Sequence, residues 1–296
     1  MNPWKQWGAF IFLGVLAWGT SFLWIKIALE EIGPFTLVTY RVGFGCAASW
    51  LLVWLLKIPL KHTRPQFWIM LAMGLVNTAL PFTLISWAET RIDSGLAGVL
   101  NGSMPLFTML IAHWTLPDDR ITTAKLTGLM AGFAGLVILL SRDVSLEGLS
   151  HGIWGQLAML GAAIAYAAST VVIRAHLRNL HPLHVAAVSL TFAVIIMSAT
   201  AAVVEAPFTI PRLGITWLAC AWMGILGVGL AYLAYFHLIR TWGATRTSLV
   251  TYAFSITAVT LGVLFLGERP SWRVFVGGAL IIGGIALVNA RKHQTS

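Results

Sequence analysis

Residues 16–34 read LAWGTSFLWIKIALEEIGP, and residues 164–182 read IAYAASTVVIRAHLRNLHP. At a constant offset of 148, Ala17, Ser21, Ile25, Leu29 and Pro34 meet Ala165, Ser169, Ile173, Leu177 and Pro182. On the same offset Trp18 meets Tyr166 and Lys26 meets Arg174. The agreement continues at an offset of 149–150. There Gly74 meets Gly224, Leu116 meets Leu266, Asp119-Arg120 meets Glu268-Arg269, and Gly128 and Gly135 meet Gly277 and Gly284. Single matches carry little in so biased a composition. Their order and nearly fixed offset mark an internal repeat, residues 1–149 followed by residues 150–296.

Both copies are built from apolar runs. The 296 residues are 58% hydrophobic and only 10% charged, with a mean hydropathy of +0.84, whereas soluble domains carry roughly 25% charged residues. Apolar runs fall at 7–29, 34–56, 67–88, 94–116, 124–141, 152–173, 183–204, 214–239, 245–266 and 272–290. A helix of ~20 residues crosses the ~30 Å hydrocarbon layer, so ten spans consume about two thirds of the chain and leave no room for a water-soluble catalytic domain. The breaks hold turn and charge signals, such as Glu30-Glu31-Ile32-Gly33-Pro34 and Gly267-Glu268-Arg269-Pro270. The first run is too long for a signal-peptide core and lacks a small-x-small cleavage site, so it reads as an uncleaved span. The expected fold is therefore an all-α integral membrane protein of ten transmembrane helices. Five spans per repeat is an odd number, which inverts the second copy. Inverted repeats belong to alternating-access transporters, with the substrate site at the repeat interface near the bilayer midplane. One fold in two nearly degenerate conformations gives inward-open and outward-open states of similar energy.

Basic residues set the orientation. With both termini cytoplasmic, Lys5, Lys57, Lys61, Arg64, Arg120, Lys125, Arg174, Arg178, Arg240, Arg246, Arg291 and Lys292 lie inside, against Arg91, Arg142, Arg212, Arg269 and Arg273 outside. Both termini are predicted to be cytoplasmic. The net charge of +9 is thus an orientation signal, and its thin spread argues against a nucleic-acid partner. Trp4, Trp7, Trp54, Trp68, Trp87, Trp114, Trp154, Trp217, Trp242 and Trp272 fall near span ends, as interfacial belt residues do. Trp18, near mid-span, escapes that explanation. Cys46 and Cys220 sit inside apolar runs and read as small buried hydrophobes without a disulfide.

Polar or aromatic residues at mid-membrane are costly unless they face protein or a water-filled cavity, so they nominate a pathway. Trp18 and Ser21 share a helical face in span 1, and Tyr166 and Ser169 repeat it in span 6. Span 3 offers Asn77 and Pro81, span 4 Asn101 and Pro105, span 8 Tyr232, Tyr235 and Phe236, and span 9 Thr251, Tyr252 and Ser255. Together they outline a substrate cavity between spans 1, 3, 4, 6, 8 and 9. The plainer alternative is that Ser and Thr bond back to their own helix. The two Asn side chains are harder to dismiss, each having four hydrogen-bonding sites to satisfy. Glycines 128, 132 and 135 in span 5, and 277, 278, 283 and 284 in span 10, suit close helix packing in a scaffold or dimer surface. The run Gly224–Gly229 lacks the flanking strand of a phosphate loop and reads as helix packing too.

Charges inside the spans are few. Lys26 and Arg41 lie toward the outer ends of spans 1 and 2, where they snorkel to water or attract a substrate carboxylate. Glu30, one turn beyond Lys26, is its simplest partner. All ten acidic residues fall in loops or span ends. Proton-coupled carriers usually keep an ionisable group within the membrane, so a facilitative carrier driven by the substrate gradient is expected. No His-Glu-x-x-His or Gly-x-Ser-x-Gly occurs and no histidine pair suits haem, which disfavours an intramembrane enzyme. No catalytic residue, metal site or cofactor is expected.

The segment Leu16-Ala17-Trp18-Gly19-Thr20-Ser21-Phe22, with Lys26, Pro34, Arg41 and the Asp119-Arg120 and Glu268-Arg269 pairs, resembles the drug/metabolite transporter superfamily, and within it the EamA-type members. The second repeat departs from the Trp-Gly signature, having Tyr166-Ala167. The resemblance implies two five-span repeats in a multi-pass bacterial inner-membrane protein, and is nearest to exporters of amino acids, including aromatic ones. The partners it implies are a small-molecule substrate, an amino acid, and membrane lipid. One chain suffices for transport, and a homodimer stays open. Carriers of other metabolites or drugs, coupled to protons, are the alternative, although a drug-cation carrier is expected to hold a mid-membrane Glu.

Overall fold

The computed structural model describes residues 3–115, 121, 123–141, 144–145, 148–149, 151–206, 209–235, 237–238 and 250–290. Helices follow the apolar runs: α1 Trp4–Leu29, α2 Pro34–Leu55, α3 Arg64–Glu89, α4 Ser94–Thr115, α5 Thr123–Leu140, α6 Gly152–Leu177, α7 Pro182–Val204, α8 Gly214–Tyr235, α9 Val250–Leu266 and α10 Trp272–Ala290. Seven of them (α1–α4 and α6–α8) are long and apolar enough to cross a membrane, while α5, α9 and α10 are shorter apolar helices. The only strands among the described residues are the two-residue pair β1 Val144–Ser145 and β2 Gly148–Leu149. Trp4, Trp54, Trp68, Trp114, Trp154 and Trp272 are exposed near helix ends, the placement an amphipathic ring prefers. Trp242, Phe236, the Asp119-Arg120 pair, Arg240 and Arg246 lie outside the described residues.

The packing maps onto itself when the two halves are exchanged. α2 packs on α7 and α5 on α10, while α1 lies against α8 and α9, and α6 against α3 and α4. The correspondence reaches single residues. A Cβ on Gly74 of α3 would meet the Ser189 carbonyl and Phe192 Cβ on α7; one on Gly224 of α8 would meet the Arg41 carbonyl and Phe44 Cβ on α2. Arg41 and Phe44 stand 148 residues before Ser189 and Phe192, the offset of the repeat. Between α5 and α10, a Cβ on Gly135 would collide with the Gly277 carbonyl, and one on Gly284 with the Gly128 carbonyl. The glycines of these two helices are therefore used for contact between backbones, as their spacing suggests.

Among the described residues four helices carry π-helical segments: Phe12–Ala17 in α1, Gly74–Ala79 in α3, Ile173–Leu177 in α6 and Ile225–Leu230 in α8. α1 then passes through a turn at residues 18–20, and α4 is interrupted at residues 102–103. In α3 the cause is local. Pro81 has no N–H, and its ring crowds the carbonyl four residues back, at Asn77. The wider turn takes up that crowding. In α4, Pro105 stands in the same relation to Asn101. The π segment of α8 contains no proline, but Gly224, Gly227 and Gly229 bring its backbone against α1 and α2.

Candidate functional site

The broken segments meet at the centre, and side chains close the gaps. The Trp18 indole N–H donates to the Gly227 carbonyl in the π segment of α8 at 3.0 Å. In return the Trp222 indole N–H of α8 donates to the Leu16 carbonyl at 3.2 Å and the Thr20 hydroxyl at 3.1 Å, at the break in α1. Each tryptophan thus reaches across the interface to the irregular stretch of the other helix, Trp222 joining a carbonyl and a hydroxyl that already bond each other within α1. The Trp18 ring also meets Tyr235 at 5.7 Å, and the Asn77 side chain lies close to the Tyr232 hydroxyl. Trp18, Asn77, Tyr232 and Tyr235 therefore form one group spanning α1, α3 and α8.

A second group lies on the α6 side. Tyr166 meets Phe82 edge-on at 6.4 Å, and the Arg41 guanidinium lies 3.9 Å from the centre of the Phe82 ring, a cation–π contact. Pro81, beside Phe82, is buried in the same stretch of α3. Asn101 Oδ1 and the Tyr252 hydroxyl are buried without a hydrogen-bond partner among the described residues. The two serines behave otherwise. Ser21 Oγ donates to the Ala17 carbonyl at 2.9 Å and Ser169 Oγ to the Ala165 carbonyl at 2.7 Å, so both hydroxyls are used within their own helices. The Thr251 backbone carbonyl accepts from Ser255 Oγ at 3.1 Å, and the same hydroxyl reaches the Gly98 carbonyl of α4 at 3.0 Å.

Two expectations are corrected. Lys26 does not pair with Glu30: its Nζ donates to the Glu89 backbone carbonyl at 2.6 Å. Arg41 does not snorkel, being only 5% exposed, because α8 packs over it through Gly224 and α3 presents Phe82 to its guanidinium. Glu89, the last residue of α3, is a span-end acid by sequence, yet it is 1% exposed.

At the end of the bundle that carries Glu31, three carboxylates tie the halves together. Leu213 N–H donates to Glu31 at 3.1 Å, joined by the Arg212 N–H and the Thr216 hydroxyl, which caps the start of α8. Glu205, in the loop before α8, accepts from the N–H groups of Phe35 (3.0 Å) and Thr36 (2.8 Å) at the start of α2. Glu268 accepts from the N–H groups of Ser94 (2.6 Å) and Gly95 (3.0 Å) at the start of α4. The residues preceding these helices, Gly33, Asp93 and Leu213, supply no side-chain cap. A carboxylate from the other half fills each vacancy, where orphan N–H groups and the helix dipole favour negative charge. The Thr216 hydroxyl first, then the two backbone donors and the Arg212 charge, hold the Glu31 carboxyl below its ordinary range. At the opposite end the halves meet through His62 Nδ1 and His184 Nε2, 3.1 Å apart.

Sequence reasoning misses Trp222, Phe82, Glu89 and the three capping glutamates. Trp222 carried a signal, since it too lies well inside its span. The others gain their meaning only from helices that are distant in sequence.

The sequence profile of the EamA-like transporter family matches the chain twice, over residues 5–141 and 153–290. The uncharacterized transporter YoaV of Bacillus subtilis is 23% identical over 287 residues, covering 93% of this chain and 95% of that protein. The uncharacterized inner membrane transporter YedA of Escherichia coli is 28% identical over 290 residues, covering 96% and 90%. Protein PagO of Salmonella typhimurium is 27% identical over 251 residues, covering 83% and 80%. A protein crystal structure at 21% identity superposes with a TM-score of 0.69 over 99% of this chain and 98% of that one, a likeness of fold.

Proposed function

The chain belongs to the EamA-like transporter family, and from that premise we propose that it exports neutral and aromatic amino acids across a bacterial inner membrane by alternating access. In this reading all ten helices cross the bilayer, residues 1–149 and 150–296 are inverted repeats, and both termini are cytoplasmic. The Glu31 end then faces outward, and the excess of Lys and Arg in the loops at the other end supports that orientation. The name of YedA, an inner membrane transporter, supports the location.

The observation that carries the reading is the cross-bonding of Trp18 to Gly227 and of Trp222 to Leu16. Broken helices meeting at the repeat interface are where carriers of this architecture hold substrate, because a ligand can take over hydrogen bonds that the backbone cannot make internally. Trp18, Tyr166, Asn77, Asn101, Tyr232, Tyr235 and Tyr252 supply aromatic faces and amide or hydroxyl groups suited to an amphipathic amino acid. Thr251 and Pro81 border the same region. Arg41 attracts the substrate carboxylate. Lys26, committed to Glu89, adds positive charge nearby. Transport is facilitative and needs no cofactor or metal, and one chain carries it out.

The test is counterflow in liposomes containing the purified protein, with labelled phenylalanine and each of the twenty amino acids as competitor. Saturable exchange inhibited by neutral and aromatic amino acids is expected; no exchange of any amino acid overturns the reading. The buried Glu89 gives proton coupling a candidate carboxyl. Obligatory dependence on an imposed pH gradient would favour that second reading over facilitation.

A further inference from the structure

Two oppositely charged side chains are enclosed within the helices, with hydrogen-bonding atoms left unpartnered. Arg41 is 5% exposed and Glu89 1% exposed. Neither Arg41 Nε nor either carboxylate oxygen of Glu89 has a hydrogen-bond partner among the described residues. Buried ionic groups in that state are costly unless something pairs with them. The nearby charges have hydrogen-bond partners of their own. Lys26 Nζ donates to the backbone carbonyl of Glu89, not to its carboxylate, and Glu268 accepts from the Ser94 and Gly95 N–H groups.

Arg41 and Glu89 stand on two helices that pack together, α2 and α3. They lie within electrostatic reach of each other, with Lys26 and Glu268 the other charged groups facing Glu89. Phe82, on which the Arg41 guanidinium rests, is seven residues before Glu89. That spacing puts both on one face of α3, two turns or about 10 Å apart. Phe82 in turn touches Tyr166, so Arg41 adjoins the aromatic group on the α6 side. A planar cation suited to a carboxylate, an anion suited to an ammonium, and an aromatic ring against the cation match one chemical class.

We propose that Arg41 and Glu89 together bind the charged head of a zwitterionic α-amino acid, Arg41 taking the carboxylate and Glu89 the ammonium. The inference rests on the amino-acid reading above and adds a basis for specificity. A zwitterion satisfies both buried charges and brings no net charge into the membrane. An amine without a carboxylate leaves Arg41 unpaired, and an acid without an amine leaves Glu89 unpaired beside a second anion. Discrimination against a ligand that strands a buried polar partner is characteristically strong.

The experiment is inhibition of labelled phenylalanine counterflow by phenylalanine, phenethylamine and 3-phenylpropionate. In the unaltered protein the two single-charge analogues compete at least tenfold more weakly than phenylalanine. Glu89→Gln loses discrimination against 3-phenylpropionate and keeps it against phenethylamine; Arg41→Gln does the reverse. Each comparison is a ratio within one variant, so the amount of folded protein cancels. If either Gln variant fails to fold, Glu89→Asp and Arg41→Lys, which keep the charge and move it, must weaken discrimination against the same analogue by several-fold. Variants that carry phenylalanine with unaltered preferences overturn the proposal and leave Arg41 and Glu89 as a structural charge pair, while amino-acid export still stands. Failure of the unaltered protein to carry any amino acid removes both readings.

Discussion

Glu31 and Glu205 are exchanged between two loops: each carboxylate caps the helix that begins beyond the other. Glu31, just before α2, accepts from the start of α8, and Glu205, in the loop that leads to α8, accepts from the start of α2. The clasp crosses from one half of the chain to the other, and Glu268 adds a third link of the same kind at α4. In the alternating-access cycle proposed above this end separates to open outward, and all three links would have to part in that step.

Removing one link therefore loosens that end. Glu205→Gln loses the charge and one of two acceptors, and Gly33→Ala places a Cβ where the Glu205 carboxylate lies. Cys220 is wholly buried in α8 and reports the opening. In a Cys46→Ser background, labelling of Cys220 by a membrane-impermeant maleimide from outside is expected to accelerate several-fold in both variants. Unchanged labelling would show that the clasp does not hold the gate.

The acidity of Glu31 fixes a pH window. Its carboxyl is held below the ordinary value near 4.5, so the folded, clasped state binds this proton less readily than the unfolded chain. The stabilisation is complete above pH 4.5 and is lost as pH falls through the lowered value. The Tm difference between the unaltered protein and Glu31→Gln should stay constant from neutral pH down to about 5 and shrink in stronger acid. A difference that fades already near neutrality contradicts the assignment.

Trp18 and Trp222 bond across the interface between α1 and α8, at groups that keep other partners in α1, so their removal should affect transport more than folding. Trp18→Ala and Tyr166→Ala are expected to lower counterflow at least tenfold, equivalent to about 1.4 kcal/mol, while remaining monodisperse after purification. Trp18→Phe keeps the ring and removes the donor to Gly227, and should fall between. Normal flux in Trp18→Ala and Tyr166→Ala would take those residues out of the pathway.

Ser21 and Ser169 bond carbonyls of their own helices. Interhelical polar contacts in membranes average only about 0.6 kcal/mol, and these two are not interhelical. Ser21→Ala and Ser169→Ala should each change flux less than threefold, which a side-by-side assay with Trp18→Ala can resolve. A loss matching Trp18→Ala would return the hydroxyls to the site.

How far these features could be read beforehand follows from the range of their causes. Apolar length placed the helices, and the repeat paired Gly74 with Gly224, but their approaches to Ser189 and Arg41 emerge only from the packing. Trp18 was legible because a mid-span indole has no interfacial role, and Asn77 with Pro81 because a proline disturbs the carbonyl four residues back. Arg41 and Glu89 were not. At their depth snorkelling and burial are equally open to a lone helix, and only the packing of α1, α3 and α8 around them decides. The capping glutamates were hidden for a related reason. A carboxylate 170 residues away supplies the cap of α2, and no local pattern records it.

The most direct test of the central claim is phenylalanine counterflow in liposomes holding the purified chain, with each of the twenty amino acids as competitor. Saturable exchange is expected, inhibited by neutral and aromatic amino acids and reduced at least tenfold in Trp18→Ala. Absence of exchange for every amino acid from correctly inserted protein would contradict the claim.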